Sequence, residues 1–282
     1  MLKFRQFAIL VVFGLGAVGC AGDEEPLSWD EFYSKVAIEP VTGTYIYDGD
    51  QTALDLAELR MAFDEYRADV EAEGSTIGSR EQPLIVNVYN RKIDKWANPH
   101  SITYCVSSAS FGARYDEVVS LVAEALDAWK ANGAGGNFTY THLADQDANC
   151  TNANLNVTFN VRQDSSTQYY AKAFFPYYPR SSKEVVISSI SYDPANLGPW
   201  TLGGILKHEL GHTLGFRHEH IRPENKNRNP ATCSKEDRNW SALTVYDSNS
   251  VMHYPHNGCA GTNTGDLDIT ALDTQGAHAL YP

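Results

Sequence analysis

One eleven-residue segment constrains this chain more than any other part of its sequence. Residues 208–218 are His-Glu-Leu-Gly-His-Thr-Leu-Gly-Phe-Arg-His. Apolar residues precede the segment at helical spacing and Thr201 is a suitable N-cap, so we predict a helix here. His208 and His212 are one helical turn apart and lie on the same face. Two imidazoles at that spacing can bind one Zn²⁺ ion.

The residues around this histidine pair predict a catalytic rather than a structural metal site. Glu209 lies beside the predicted metal, where a general base for a water nucleophile must stand. Gly215 adopts positive φ readily and would end the helix with a sharp turn. That turn would return His218 to the metal as a third ligand, which leaves one coordination position open. His220, two residues further on, is the alternative third ligand.

Hydrophobic periodicity predicts an α+β fold for the main part of the chain, residues 83–282. Strands are predicted at 83–89, 101–106, 138–141, 155–161, 170–175 and 185–190. Helices are predicted at 118–129, in the histidine-rich segment and near 272–280. These elements suit a small mixed, twisted sheet with two long helices. After Gly215 we expect an irregular C-terminal subdomain, with a loop from 225 to 241.

The N-terminal residues predict export followed by a separate segment. Residues 1–19 have a basic start and an apolar core too short to span a bilayer, which predicts a signal peptide. Cys20 follows small residues, as in the lipobox that bacterial lipoproteins carry. We therefore expect a lipid anchor on Cys20 and an outer-membrane or cell-surface location, or else plain secretion. Residues 20–82 are interpreted as a tether and pro-segment, with a helix at 56–70.

The cysteine count agrees with an exported chain. Four cysteines follow Cys20, and an even number predicts two disulfides with three connectivities. We favour the pairing that is local in sequence, Cys105 with Cys150 and Cys233 with Cys259. The sequence has no Cys-x-x-Cys pair, which argues against a zinc ribbon or a redox motif.

Composition excludes several classes of function. The 282 residues include 22 Lys and Arg against 35 Asp and Glu, so the formal net charge is −13. Nucleic acid is not an expected partner, because phosphate binding needs clustered Lys and Arg, which the sequence lacks. The sequence has no Gly-x-Ser-x-Gly motif and no Walker loop, so serine-hydrolase and nucleotide-binding interpretations find no support. The expected oligomeric state is a monomer.

Two motifs together resemble the metzincin zinc peptidases. The pattern at 208–218 is followed by Ser-Val-Met-His-Tyr at 250–254, which resembles the Met-turn of that family. The run from His218 to Arg222 is similar to the astacin branch. The His-Glu-Leu-Gly-His core resembles the bacterial dual-action HEIGH peptidases, with Leu in place of Ile. The resemblance covers residues 83–282, although the cysteine spacing departs from that of astacins.

The resemblance implies roles for individual residues. The family's zinc ligands fall on His208, His212 and His218, and its catalytic base falls on Glu209. Met252 would form an apolar floor beneath the metal. Tyr254 would be catalytic, leaving the metal to hydrogen-bond the tetrahedral intermediate. Glu219 would anchor the mature N-terminus. The structural alternatives are a core methionine, a buried tyrosine and a solvated acid.

The sequence therefore predicts a zinc-dependent endopeptidase. Its substrate would bind extended along an exposed edge strand, for which residues 169–179 are the candidate, although they equally suit a buried strand and loop. The alternatives are a surface-tethered binding module on the same scaffold and a zinc hydrolase of cell-wall peptides. The presence of Glu209 disfavours the binding module, because a protein without turnover needs no base.

A short motif before the predicted helix at 56–70 suggests how such an enzyme is kept latent. Tyr-Asp-Gly-Asp at residues 47–50 resembles the astacin pro-segment pattern Phe-x-Gly-Asp, whose Asp takes the zinc position meant for water. Asp50 would be that ligand, and Gly49 would let the backbone approach the cleft. The alternative is that Asp50 caps the following helix. No cysteine lies between Cys20 and Cys105, so a thiolate switch is excluded.

Overall fold

A computed structural model describes residues 27–47, 49–72, 84–229, 233, 239–254, 258–262 and 265–282. The predicted signal peptide and Cys20 lie outside the described residues. The N-terminal elements are α1 (Trp29–Tyr33), β1 (Ala37–Ile38), β2 (Tyr45–Tyr47), β3 (Gln51–Ala53) and α2 (Leu56–Ala72). Among the described residues, no helix combines the length and the hydrophobicity that crossing a bilayer requires.

The remaining residues form the larger part of the fold. Its strands are β4 (Ile85–Tyr89), β5 (Lys92–Ile93), β6 (Ile102–Val106), β7 (Tyr140–His142), β8 (Phe159–Asp164), β9 (Ala171–Lys172), β10 (Glu184–Ser188) and β11 (Trp240–Ala242). Its α-helices are α3 (Ser108–Phe111), α4 (Tyr115–Lys130), α5 (Pro194–Leu197), α6 (Leu202–Leu214) and α7 (Ala271–Leu280).

Five strands form a mixed central sheet in the order β7-β6-β8-β10-β9. The first four are parallel, and the edge strand β9 runs antiparallel to β10. On one face of the sheet, Val161, Val185 and Ile187 pack with Trp129 of α4 and Leu206 of α6 in the main core. The predicted α+β architecture, a small mixed sheet with two long helices and an irregular C-terminal part, is confirmed.

Strand boundaries differ from the prediction where local side-chain chemistry intervenes. Strand β8 begins at Phe159 rather than at residue 155, because Asn154 Oδ1 accepts a hydrogen bond from the backbone N–H of Asn156 in a turn. The predicted strand at 170–175 is reduced to β9, and the chain after it turns into the core ahead of Pro176, which has no N–H for a ladder. Within the predicted loop from 225 to 241, Trp240 begins β11, which pairs with β4.

Residues 27–72 form a packed unit with its own core, where the sequence before residue 56 indicated a tether. Aromatic side chains dominate that core, including Phe32, Phe63 and Tyr66. The buried residues of the main core all lie between Leu84 and Tyr281. Strands of two or three residues are too short to show a periodic pattern, which explains why sequence analysis missed β1, β2 and β3.

Both disulfides form with the predicted pairing. The Cα atoms are 5.6 Å apart in Cys105–Cys150 and 5.1 Å apart in Cys233–Cys259. The first bridge ties central strand β6 to the chain that follows β7, and the second closes a loop in the C-terminal part. The first bridge therefore ties the chain around Cys150 to the central sheet.

Removal of either bridge should lower the free energy of unfolding. In the chain-entropy model, Cys105→Ala with Cys150→Ala should cost about 4 kcal/mol, and Cys233→Ala with Cys259→Ala about 3.5 kcal/mol. The order follows from sequence separations of 45 and 26 residues. Urea unfolding of both double variants measures the loss. An unchanged midpoint in either variant would contradict the contribution assigned to that bridge.

Candidate active site

Helix α6 positions the first two histidines, and Gly215 ends it. The hydroxyl of Thr201 caps the helix by accepting a hydrogen bond from the N–H of Gly204 at 3.0 Å, as predicted. Gly215 has φ +105°, and a Cβ there would lie 2.3 Å from the carbonyl oxygen of Asp94. A residue with a side chain would be strained at this position and would also clash. The resulting turn brings His218 back towards the helix.

Three buried imidazoles converge beyond this turn. His208 Nε2 lies 3.0 Å from His218 Nε2, and the His212 ring lies 4.8 Å from the His218 ring, centroid to centroid. No more than 3% of any of the three residues is exposed. Their nitrogen atoms and a carboxylate oxygen of Asp50 all lie within 4.8 Å of one another. The structure therefore brings together the three predicted ligands and Asp50.

The protonation of these rings fits a zinc ion. His208 Nδ1 donates to the carbonyl of Val251 at 2.6 Å, and His212 Nδ1 donates to the carbonyl of Phe216 at 2.7 Å. A carbonyl accepts but does not donate, so each ring holds its proton on Nδ1 and leaves the Nε2 lone pair free for a metal. The buried Nε2 of His212 has no hydrogen-bond partner. Burial lowers the pKa of His212 to about 4, so the ring is neutral at pH 7.

The predicted Met-turn lies directly beneath α6. Met252 is fully buried, and a Cβ on Gly211 would lie 2.4 Å from its Sδ atom. Asp273 of α7 holds the turn by accepting hydrogen bonds from Ser250 Oγ at 2.5 Å and from the N–H of Val251 at 2.9 Å. The carbonyl of Val251 orients the His208 ring, and Asp273 binds the N–H of the same residue. Asp273 therefore fixes a predicted zinc ligand indirectly, through Val251. Sequence analysis missed Asp273, whose only signal is its position in a capping box with Thr270.

Asp50 occupies the centre of the histidine cluster. Its Oδ2 lies 3.2 Å from His208 Nε2, and its Oδ1 lies 3.1 Å from His218 Nε2. The hydroxyl of Tyr254 donates to Asp50 Oδ1 at 2.5 Å. Burial raises the pKa of Asp50, but the surrounding histidines hold it well below its ordinary value, so the group is a carboxylate. A Cβ on Gly49 would lie 2.8 Å from the Tyr254 hydroxyl, so the backbone passes close to this ring.

The alternative role of Asp50 as a helix cap is wrong. Asp55 serves that purpose, because its Oδ1 accepts hydrogen bonds from the N–H groups of Ala57 at 2.8 Å and Glu58 at 2.9 Å. Gln51, which sequence analysis did not single out, also reaches the cluster. Its Nε2 lies 3.3 Å from His218 Nδ1.

Glu209 lies at the wall of a cavity beside the cluster. The cavity has a volume of about 480 Å³. Its lining includes Tyr169, Tyr170 and Ala171 from the candidate edge-strand segment, whereas Phe174 and Tyr178 of that segment are buried in the core. Glu209 Oε2 is buried without a hydrogen-bond partner. Burial and the nearby Asp50 carboxylate raise the pKa of Glu209 well above its ordinary value.

Two further candidates lie outside the cluster. Glu219 is fully buried and accepts from Arg222 Nη1 at 3.3 Å and from the N–H of Asp247 at 3.1 Å, so it is not a solvated acid. The ring of His220 stacks on Tyr254 with a centroid separation of 4.6 Å. His220 therefore faces the tyrosine, and His218 is the residue that joins the other two histidines.

Comparison with known proteins agrees with this geometry. Residues 95–225, which contain all three histidines and Glu209, match the family model of the matrixin peptidases. This match covers a little less than half of the chain, and it agrees with the resemblance to metzincin zinc peptidases that the sequence motifs indicate. The assignment to the astacin branch and the likeness to HEIGH peptidases stay predictions.

Individual relatives are distant. A putative matrix metalloproteinase of Spodoptera frugiperda ascovirus 1a is 25% identical over 186 residues, which cover 55% of this chain and 46% of that protein. The chain thus spans about half the length of this curated relative. Among solved structures, high choriolytic enzyme 1, a hatching-enzyme zinc protease of the medaka Oryzias latipes, is 21% identical. That match covers 66% of this chain and 92% of the other, with a TM-score of 0.38.

The ligand assignment predicts different zinc contents for two neighbouring variants. His218→Ala should lose zinc on dialysis, because it removes one of three converging nitrogens. His220→Ala should keep zinc, because that ring stacks on Tyr254 outside the cluster. Metal analysis of both dialysed proteins measures the difference. Equal zinc loss from the two variants, or loss from the His220 variant alone, would show that the assignment is wrong.

Proposed function

We propose that this protein is a zinc-dependent endopeptidase that cleaves peptide bonds in extended protein or peptide segments. The observation that carries the proposal is the convergence of His208, His212 and His218 beside a cavity whose wall includes Glu209. Three imidazoles with an adjacent carboxylate are the donor set of a catalytic zinc site. The match to the matrixin family supports the same activity.

The chain's own residues supply the proton transfers and orientation. A bound zinc ion would polarise the scissile carbonyl and acidify water. Glu209 takes a proton from the water nucleophile and delivers it to the leaving amine. Burial raises the pKa of Glu209, which favours the protonated form that donates to the leaving amine. Tyr254, whose hydroxyl already donates into the cluster, hydrogen-bonds the developing oxyanion.

The substrate lies along strand β9. This strand is the edge of the central sheet, and Ala171 faces the cavity beside His208 and Glu209. An extended peptide that adds to the edge would receive backbone hydrogen bonds there. The cavity lies next to the histidines, so it can accept one side chain of the peptide while the scissile bond lies over the cluster.

We also propose that residues 20–82 are a pro-segment and that Asp50 keeps the enzyme latent. The carboxylate lies between the three histidine nitrogens. There it would take the coordination position on a bound zinc ion that the water nucleophile needs. It also engages the hydroxyl of Tyr254. One side chain thus blocks two catalytic functions. Export through residues 1–19 and a lipid anchor on Cys20 remain part of the proposal on sequence grounds.

Replacement of the base should abolish turnover and spare the metal. Glu209→Gln in the processed protein should retain zinc and lose at least about a thousandfold in peptidase rate, because the ligands stay while the proton acceptor is gone. Casein cleavage and metal analysis measure the two properties. Glu117→Gln, an exposed change on α4, is the matched control. Casein cleavage by Glu209→Gln at the control's rate would overturn the mechanism.

Replacement of Asp50 should activate the unprocessed chain. Asp50→Ala removes the carboxylate from the cluster and frees Tyr254, so the full-length protein should cleave peptides before any processing. The assay uses protein whose length is verified by mass spectrometry. Asp55→Ala is the control, because it should weaken α2 by about 1 kcal/mol without a gain in activity. Inactive full-length Asp50→Ala that holds zinc would rule out this latency device.

A further inference from the structure

The outer face of the central sheet, the face opposite α4 and α6, carries two cations that the proposed mechanism does not use. Val186 of β10 pairs with Arg162 of β8 on one side and with Lys172 of β9 on the other. Residues paired directly across neighbouring strands share a face, so these three side chains form a row. Ala37 and Ile46 of the pro-segment cover Val186.

Glu39 of the pro-segment fills the space between the hairpin and this row. It is fully buried, and its Oε1 accepts a hydrogen bond from Arg162 Nη2 at 2.5 Å. Its Oε2 accepts from the backbone N–H groups of Val41 at 3.1 Å and Thr42 at 2.6 Å. Burial raises the pKa of Glu39, but these hydrogen bonds and the charge of Arg162 lower it to about 2. The site thus already holds a carboxylate.

Removal of Glu39 would leave Lys172 without its main counter-charge, whereas Arg162 would keep Glu184 as its remaining ion-pair partner. Lys172 is only 2% exposed, and no hydrogen bond or ion pair joins its ammonium group to any described residue. Burial lowers the pKa of Lys172, and among the neighbouring carboxylates Glu39 opposes this shift most. Glu184 is engaged by both Arg162, at 3.1 Å, and Asn160, at 2.7 Å.

The other nearby carboxylate does not replace Glu39. Asp164 accepts hydrogen bonds from the hydroxyl of Tyr169 and from the N–H of Ser166. Its effect on the pKa of Lys172 is smaller than those of Glu39 and Glu184. A carboxylate site would therefore open when the pro-segment leaves.

This site lies on the opposite face of the sheet from the histidines, but it approaches the cleft around the sheet edge that β9 forms. Tyr169, which packs with Val186 on the outer face, also lines the cavity beside the histidines. In the latent chain one polypeptide segment already reaches both places, because Glu39 and Asp50 are eleven positions apart. A substrate bound along β9 can therefore reach the same site with a side chain some residues away from its scissile bond.

We propose that Arg162 and Lys172 form a second recognition site in the processed enzyme, which binds an acidic side chain of the peptide substrate. The proposal rests on the proposed peptidase function and on removal of the pro-segment. The processed part has its own core, with every buried member between Leu84 and Tyr281, and it contains both disulfides. Release of residues 27–72 would therefore leave this core and both disulfides in place.

Peptide binding to the processed Glu209→Gln protein tests the site apart from turnover. The probes are fluorescent peptides long enough to span eleven positions, each with one Glu that is moved a single position at a time. Each probe has a counterpart with Gln in place of Glu. Fluorescence anisotropy gives both dissociation constants. At one or two neighbouring positions Glu should tighten binding about tenfold over Gln, the effect of one charge-assisted hydrogen bond.

Variants of the two cations decide the assignment. Lys172→Met and Arg162→Gln are each added to the Glu209→Gln protein. Either variant should abolish the preference, so that the Glu and Gln probes bind with about equal dissociation constants. Arg114→Gln, which removes an exposed charge elsewhere, should retain it. If Arg162→Gln does not fold, Lys172→Met alone gives the answer.

The outcomes separate the two proposals. Absence of a preference for Glu at every position, or its persistence in Lys172→Met, would overturn the recognition site even if the wild-type processed protein cleaves peptides. A preserved preference for Glu together with no cleavage by the wild-type protein would instead overturn the peptidase function.

Discussion

The active region depends on one constraint, which is that three buried imidazoles must converge on one point. Their convergence places polar ring nitrogens close together in a buried space, so the surrounding chain must fix the orientation of the rings. The carbonyls of Val251 and Phe216 do this for His208 and His212 by accepting the Nδ1 protons. Each carbonyl belongs to a sharp turn, so the orientation of the two rings depends on contacts that hold these turns in place.

Two contacts fix the turns. Asp273 of α7 binds Ser250 and the backbone of Val251, so a helix at the end of the chain sets the orientation of a ligand on α6. Gly215 fits against the carbonyl of Asp94 with no space for a side chain, which sets the path to His218. Burial raises the pKa of Asp273, yet its hydrogen bonds to Ser250, Thr270 and Val251 oppose that shift. Distant parts of the chain thus act on the site through specific hydrogen bonds.

The sequence alone predicted the parts of this site that repeat a helical period or a fixed motif. The histidine spacing, the Thr201 cap and the Gly215 turn are local, so they were predictable from neighbouring residues. Asp273 and Gln51 were missed because their roles depend on contacts across the fold. The packed structure of residues 27–53 was missed for another reason, since its aromatic core is held by strands too short to show alternation.

Two carboxylates of the proposed pro-segment, Asp50 and Glu39, contact the rest of the chain, and the two contacts differ in what they need from it. Asp50 lies among three histidines whose arrangement the fold already enforces, so its position is set by the site itself. Glu39 interacts with Arg162 only after a turn has aligned Val41 and Thr42, so its position is set by the pro-segment. Because that unit has its own aromatic core, its turn geometry does not depend on the cleft. A segment that is preorganised in this way loses little conformational entropy when it occupies the cleft, which favours the closed arrangement of this structure.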